Sequence, residues 1–195
     1  MARPKGKTLT LQDVLAAGHQ VVERDGPLGL TLTSVARVLD IKPPSLCHHV
    51  ATNDALRWSV VEHSWSLLAQ RLDALQVADP RQRLQAIATA TRGFALEHPH
   101  SFELMVQTRL PHARVAGTPI ESQLLVPLLA SLRELELPKA RRVHAARAFR
   151  SALTGFLLLE IAGQFQLEAS ADQSFAYLVR VLIAGFTPEP ETPPG

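Results

Sequence analysis

Apolar residues along this chain recur at intervals of three and four, the spacing that gathers them on one face of a helix. The first run, after Thr8, takes Leu11, Val14, Leu15, Gly18, Val21 and Val22, with Thr10 placed to cap its free amides and Asp25-Gly26-Pro27 to end it. A second opens at Thr31 and carries Leu32, Val35, Ala36 and Leu39 to a stop near Asp40. A third starts at Pro43 and Pro44, which suit a first turn because their missing N–H groups have no intrahelical partner there, and reaches Val50 in about two turns. The fourth is long, from Asn53 through Leu56, Val60, Val61, Trp65, Leu68, Leu72 and Leu75. Asp79-Pro80 opens a fifth, Arg81 to Glu97, and His98-Pro99 a sixth that runs to Leu110, followed by a loop over Pro111 to Gly117. Thr118-Pro119 begins a seventh that reaches Glu136 with a bend at Pro127, and Pro138 an eighth that reaches Gln164. Ser170-x-x-Gln173 has the capping-box spacing and opens a ninth, with Phe175, Leu178, Val179, Leu182 and Ile183 on its apolar face. The Pro- and Glu-rich end, 187–195, has no such face and is read as disordered. No strand-like alternation competes, so the pattern predicts an all-α chain of about nine helices.

Composition narrows the class. Of 195 residues, 46% are hydrophobic and 19% charged, enough apolar material for a sizeable core. Cys47 stands alone, so neither an internal disulfide nor a zinc site with two thiolates is available, and a reducing cytoplasm is the expected compartment. Arg3, Lys5 and Lys7 are followed by no uninterrupted apolar run, and Leu153 to Phe165 is too short for a membrane span and carries Glu160, so no membrane partner is expected. The chain has no G-x-S-x-G elbow, P-loop, dinucleotide glycine fingerprint or H-E-x-x-H motif, and it is read as no enzyme, without cofactor or catalytic residues. His48 and His49 are adjacent and diverge by about 100° on a helix, and His98-Pro99-His100 has no carboxylate or cysteine at ligand spacing, so no metal is expected either.

Charge points to a partner by its distribution. Net charge is only +2, but residues 1–58 hold seven Lys or Arg against five acids, and the remainder thirteen of each, so the whole excess lies in the first third. There the second and third helices meet across a few residues, the arrangement in which one helix crosses a DNA backbone and the next enters the major groove. The stretch L-T-L-T-S-V-A-R-V-L-D-I-K-P-P-S-L-C-H-H-V-A-T-N-D-A-L, Leu30 to Leu56, resembles the DNA-binding signature of the tetracycline-repressor (TetR) family of transcription regulators at Thr31, Val35, Ala36, Leu39, Ile41, Pro43, Leu46, His49 and Leu56. Cys47 and Asn53 stand where that family usually carries Tyr and Lys, which implies fewer phosphate contacts. The segments around Phe149, Gly155, Phe156, Leu159, Glu160, Gly163 and Phe165 resemble a subclass of the family's regulatory domains.

The resemblance implies a basic arm (1–8), a three-helix helix-turn-helix domain (9–52) and a helical ligand-binding and dimerisation domain (53–186), with a tail at 187–195. The expected partners are double-stranded DNA with a palindromic operator, a second copy of the chain, and a small-molecule effector. For DNA the candidates are Arg3, Lys5, Lys7, Thr33, Ser34, Lys42, Pro44, Ser45, His48, His49 and Asn53, with Lys42 on phosphate and Ser45 and His48 on base edges. For an apolar effector they are Trp65, Phe94, Phe102, Met105, Arg109, Phe149, Phe156 and Glu160, although aromatics at helical spacing are more often ordinary core and Glu160 reads as either a pocket residue or an interface contact. For the dimer they are Gly155, Leu158, Ala162, Phe175, Leu178 and Leu182. Two functions compete: a repressor released from its operator by a small apolar ligand, and a helical ligand-binding or interaction protein whose operator binding is weak or lost.

Overall fold

The computed structural model describes residues 8–109 and 119–187; the basic arm, the loop read at Pro111 to Gly117, Leu110 and the end of the tail lie outside them. Among the described residues there are eight α-helices, two short 3-10 helices and no strand: α1 (Leu11–Asp25), α2 (Leu32–Leu39), α3 (Asn53–Asp73), α4 (Pro80–Glu97), α5 (Pro99–Gln107), α6 (Pro119–Glu134), α7 (Lys139–Ile161) and α8 (Ala171–Ala184). The all-α reading holds.

The starts and stops follow local chemistry. Thr10 and Asp13 form a reciprocal capping box at α1, and Thr31 and Ser34 another at α2. The Gln82 amide donates to Asp79 Oδ1 (2.8 Å), so Asp79 caps α4 as its position before Pro80 predicts. Three helices end in the same way, with one residue in the left-handed region: Asp40 after α2, Glu136 after α6 and Gly163 after α7. In each, the next amide reaches back to the last turn, from Ile41 to the Ala36 carbonyl (3.0 Å), Leu137 to Leu132 (3.3 Å) and Gln164 to Leu159 (2.9 Å). Gly163 is why α7 stops at Ile161, three residues before the Gln164 end that periodicity suggests.

The third predicted helix is different. Pro43–Leu46 is a single 3-10 turn, in which the Ser45 amide reaches Lys42 (2.9 Å) and the Cys47 amide reaches Pro44 (3.2 Å). Two successive prolines supply no amides, and Asn53 already begins the next helix, so the segment closes on short-range bonds before an α-helical ladder forms. At α8, Ser170 is the capping residue by position, but its side chain makes no cap hydrogen bond, so the expected box with Gln173 is not formed.

The chain groups into two compact units, 1–67 with 97–116, and 68–96 with 117–195; α3 begins in the first and ends in the second. The first unit has its core between α1, α2, the start of α3 and α5, where Val14, Val21, Val22, Val35, Leu46, Leu56, Val60 and Leu104 are buried. The second is built from α4, α6, α7, α8 and the end of α3 around Leu84, Phe94, Leu132, Phe149, Leu153 and Leu157. No helix of the described residues is long and apolar enough to cross a membrane.

Candidate nucleic-acid interface and regulatory helices

In the first unit, α2 and the turn after it are fixed from several sides. The Ser34 amide donates to Thr31 Oγ1 (3.0 Å) and the Ser34 hydroxyl to the Gly29 carbonyl (2.7 Å). From across the unit, Asn53 Oδ1 accepts from the Leu32 amide (2.9 Å), tying the first residue of α3 to the first of α2. Arg57 Nη2 donates to the Pro27 carbonyl (3.1 Å), which holds the segment leading into α2. Leu46 and Val50 point inward and are 0% and 3% exposed, so the turn that carries them is anchored on its inner side.

That anchoring leaves a polar outer edge. Thr33, Lys42, Pro44, Ser45, Cys47 and His48 are exposed, and His49 is half-buried. Of the eleven DNA candidates, Lys42, Pro44, Ser45 and His48 share this edge with Thr33 nearby on α2, while Arg3, Lys5 and Lys7 lie outside the described residues. Ser34 and Asn53 have structural employment: one completes a capping box and the other caps its neighbouring helix.

The effector candidates divide between the two units. Trp65, Phe102, Met105 and Arg109 belong to the first, where Phe102 and Met105 are buried, Trp65 half-buried and Arg109 exposed. Phe94, Phe149, Phe156 and Glu160 belong to the second. There Phe94 and Phe149 are core, Phe94 facing the Arg71 guanidinium at 5.3 Å and Phe149 the Phe186 ring at 6.2 Å. Glu160, the carboxylate placed by sequence in an apolar run, is engaged within its own unit. Arg92 grips it with two donors, Nε at 2.9 Å and Nη2 at 2.5 Å, and the same Nη2 reaches Asp172 at 2.6 Å. The Arg92 pKa is raised above its ordinary value, first by the hydrogen bonds it donates to Glu160, with Asp172 adding to it against the cost of burial.

Of the dimer candidates, Gly155 and Ala162 are exposed, and Leu158, Leu178 and Leu182 half-buried. Phe175 faces inward, 5% exposed, against the Phe156 ring (5.4 Å) and under the Arg92 guanidinium (4.9 Å). The large apolar side chains left in solvent on these helices are Leu159, Tyr177 and Val181, each at least 48% exposed, and, nearer the start of α7, Val143 at 48%. Gly155, Leu159 and Ala162 follow one another at four and three residues on α7, and Tyr177 and Val181 at four on α8, so each helix shows one continuous uncovered strip.

One cluster was not legible from spacing. His19 and Glu23, one turn apart on α1, meet His98 at the start of α5: His19 Nε2 lies 3.4 Å from His98 Nδ1, and the Ser101 amide donates to Glu23 Oε1 (2.8 Å). Burial, then the neighbouring His98, lowers the His19 pKa; burial lowers that of His63, whose ring stands edge-on to His19 at 6.1 Å. The only local signal was the four-residue His–Glu spacing on α1.

A short helix capped onto its support, followed by an anchored turn with an exposed polar edge, is the geometry of a helix-turn-helix reading head, and it defines a DNA-binding transcription regulator. Residues 84–182 match the family model described as the tetracyclin repressor-like C-terminal domain, and the chain belongs to the TetR family. It is 25% identical over 180 residues to the uncharacterized HTH-type transcriptional regulator YobS of Bacillus subtilis (strain 168), covering 91% of this chain and 92% of that one. It is 28% identical over 188 residues to the uncharacterized HTH-type transcriptional regulator Rv0681 of Mycobacterium tuberculosis (strain ATCC 25618 / H37Rv), covering 95% and 84%. The fold is shared with a TetR variant from Acinetobacter baumannii AYE crystallised in complex with minocycline, at a TM-score of 0.73 and 22% identity over 92% of this chain and 97% of that one.

Proposed function

We propose that this protein is a dimeric, sequence-specific repressor, acting in the cytoplasm and not as an enzyme, that leaves an inverted-repeat operator when a small, largely apolar effector binds. Residues 9–52 form its DNA-reading domain, 53–186 its effector and dimerisation domain, and Arg3, Lys5 and Lys7 an arm that adds phosphate contacts. The observation that carries the reading is the outer edge of the Lys42–His48 turn, polar and exposed on a segment whose Leu46 and Val50 are fully anchored. Lys42 neutralises a phosphate, and Ser45 and His48 meet base edges. Two copies joined through the exposed strips of α7 and α8 present two such edges, so the operator has the symmetry of the dimer. Minocycline bound to the Acinetobacter TetR variant supports the helical remainder as the effector-binding part. The effector acts by its differential affinity for the DNA-bound and released states, ordinarily about 1–3 kcal/mol or roughly 5–150-fold.

Selection from a random-sequence duplex pool, followed by anisotropy titration of the enriched duplex across salt concentrations, tests the reading. An inverted repeat is expected. Lys42→Ala should weaken binding to all sequences and reduce the salt slope by about one unit, whereas Ser45→Ala and His48→Ala should relax base preference at one position per half-site. A chain that enriches no sequence and binds no duplex at low salt is the ligand-binding protein without operator function.

A further inference from the structure

The cluster joining α1 to the start of α5 has the geometry of a metal centre. One ligand atom each from His19, Glu23 and His98 lies within 4.8 Å of the others, and all three residues are half-buried. Ser64 Oγ spends its hydrogen on the Val60 carbonyl (3.0 Å), so towards His19 Nδ1 (3.5 Å) it acts as acceptor. Ser101 Oγ lies at 3.0 Å from the same nitrogen. His19 Nδ1 is thus engaged on its far side by two serine hydroxyls, and Nε2 is the nitrogen that faces His98. On His98, Nε2 faces the Glu97 carboxylate at 3.5 Å, and Nδ1 is the nitrogen turned to His19. The two facing nitrogens stand 3.4 Å apart, a contact that one shared proton holds and that a metal ion would replace. Two nitrogens bound at about 2.0–2.1 Å to one tetrahedral ion stand about 3.3–3.4 Å apart, the separation seen here. Glu23 needs to approach by no more than about 1.5 Å to bring its oxygen to the same spacing, within reach of side-chain rotation. Hydroxyl and carboxylate partners on the far nitrogens are the outer shell that orients metal-ligating histidines.

We propose that His19 Nε2, His98 Nδ1 and Glu23 form a binding site for a divalent transition metal of the zinc class, completed by water. Two imidazoles and one carboxylate with no thiolate favour zinc, nickel, cobalt or copper over magnesium or calcium, which take oxygen ligands. The ion clasps α1 to α5 within the first unit, joining segments 79 positions apart in sequence, so its binding adds to the stability of that unit. The site is independent of the operator reading.

The test uses the untagged full chain, stripped with chelator and dialysed, and titrated with Zn2+ in competition with a chromophoric chelator of micromolar affinity. The expected result is one tight equivalent per chain and a zinc-dependent rise in melting temperature, both retained when the adjacent histidines outside the cluster are removed in His48→Asn with His49→Asn. His98→Asn and Glu23→Gln should each weaken binding roughly tenfold or more and abolish the thermal shift. Co2+ should give the visible absorption of a tetrahedral site in the parent chain and not in these variants. Far-UV circular dichroism establishes that each variant is folded; if His98→Asn is not, Glu23→Gln, which keeps both rings, decides. Absence of zinc binding at about 100 micromolar, or affinity unchanged in a folded Glu23→Gln, overturns the proposal.

Discussion

Gly18 shows how much one hydrogen in place of a methyl decides. It is buried on α1, and a Cβ there would stand 2.5 Å from Val60 Cγ2, with Leu30 and Leu56 methyls at 3.7 and 3.8 Å. Val60 is β-branched, with little rotameric freedom in a helix, so α3 itself has to give way. Overpacking of this kind costs about 1–3 kcal/mol, against a helix-propensity gain for Ala over Gly of about 1 kcal/mol. Gly18→Ala is therefore expected to lower the melting temperature, and Val60→Ala added to it to restore part of the loss; a stabilised single variant would show that α1 and α3 approach less closely than this. Glu160 is the complementary case, where a charge in an apolar run looked like a ligand or interface group. Its side chain is 11% exposed and its partner Arg92 15%, and the fork of two hydrogen bonds supplies what an isolated buried carboxylate would lack. The partner lies 68 residues away in sequence, so periodicity showed the need for a counter-charge and not its source.

At the scale of elements, α2 is only eight residues long, too short to persist by its own ladder. Its position rests on the buried Val35 and Ala36 and on its ends: the Thr31–Ser34 box, the Asn53 carbonyl on the Leu32 amide, and the left-handed Asp40. Asn53→Ala leaves that amide to solvent and is expected to cost about 0.5–2 kcal/mol, read as a lower urea midpoint at unchanged slope. Asn53→Asp keeps the acceptor and places negative charge at a helix start, so it should hold the midpoint while weakening DNA binding if phosphate lies near. Equal midpoints for the parent and Asn53→Ala would remove the capping role. The helix starts at Thr10 and Thr31, the Asp79 cap and the stop at Asp40 were legible because their chemistry is local, whereas the return bonds of Asp13 and Ser34 that complete the first two as boxes emerge only in the structure. The 3-10 turn at Pro43 was not, since the residues that suit a helix's first turn also suit a turn that never becomes one. The idle Ser170 cap shows that the spacing of a capping motif does not by itself form its bonds, and the His19, Glu23 and His98 cluster depends on a return of the chain that no spacing records.

For the whole molecule the question is what covers the strips on α7 and α8. Leu159, Tyr177 and Val181 are 48%, 61% and 48% exposed, with Gly155 and Ala162 beside Leu159 allowing a helix to approach closely. In the proposed dimer a second copy of the same strips covers them, and a symmetric pair of reading heads would give an inverted repeat its affinity. With a half-site dissociation constant of about 10 micromolar and an effective concentration near 1 millimolar for the second head, the dimer binds at about 0.1 micromolar, a gain of about 100-fold with no new contact. Val181→Glu puts a charge into the strip without touching any residue of the reading edge. Sedimentation velocity at micromolar concentration should show it as a monomer, and its affinity for the selected operator should fall by about 100-fold while its affinity for an isolated half-site stays unchanged. A dimer that survives this substitution moves the interface off α8, whereas a monomer that keeps full operator affinity shows that one head suffices and that the operator carries no two-fold repeat.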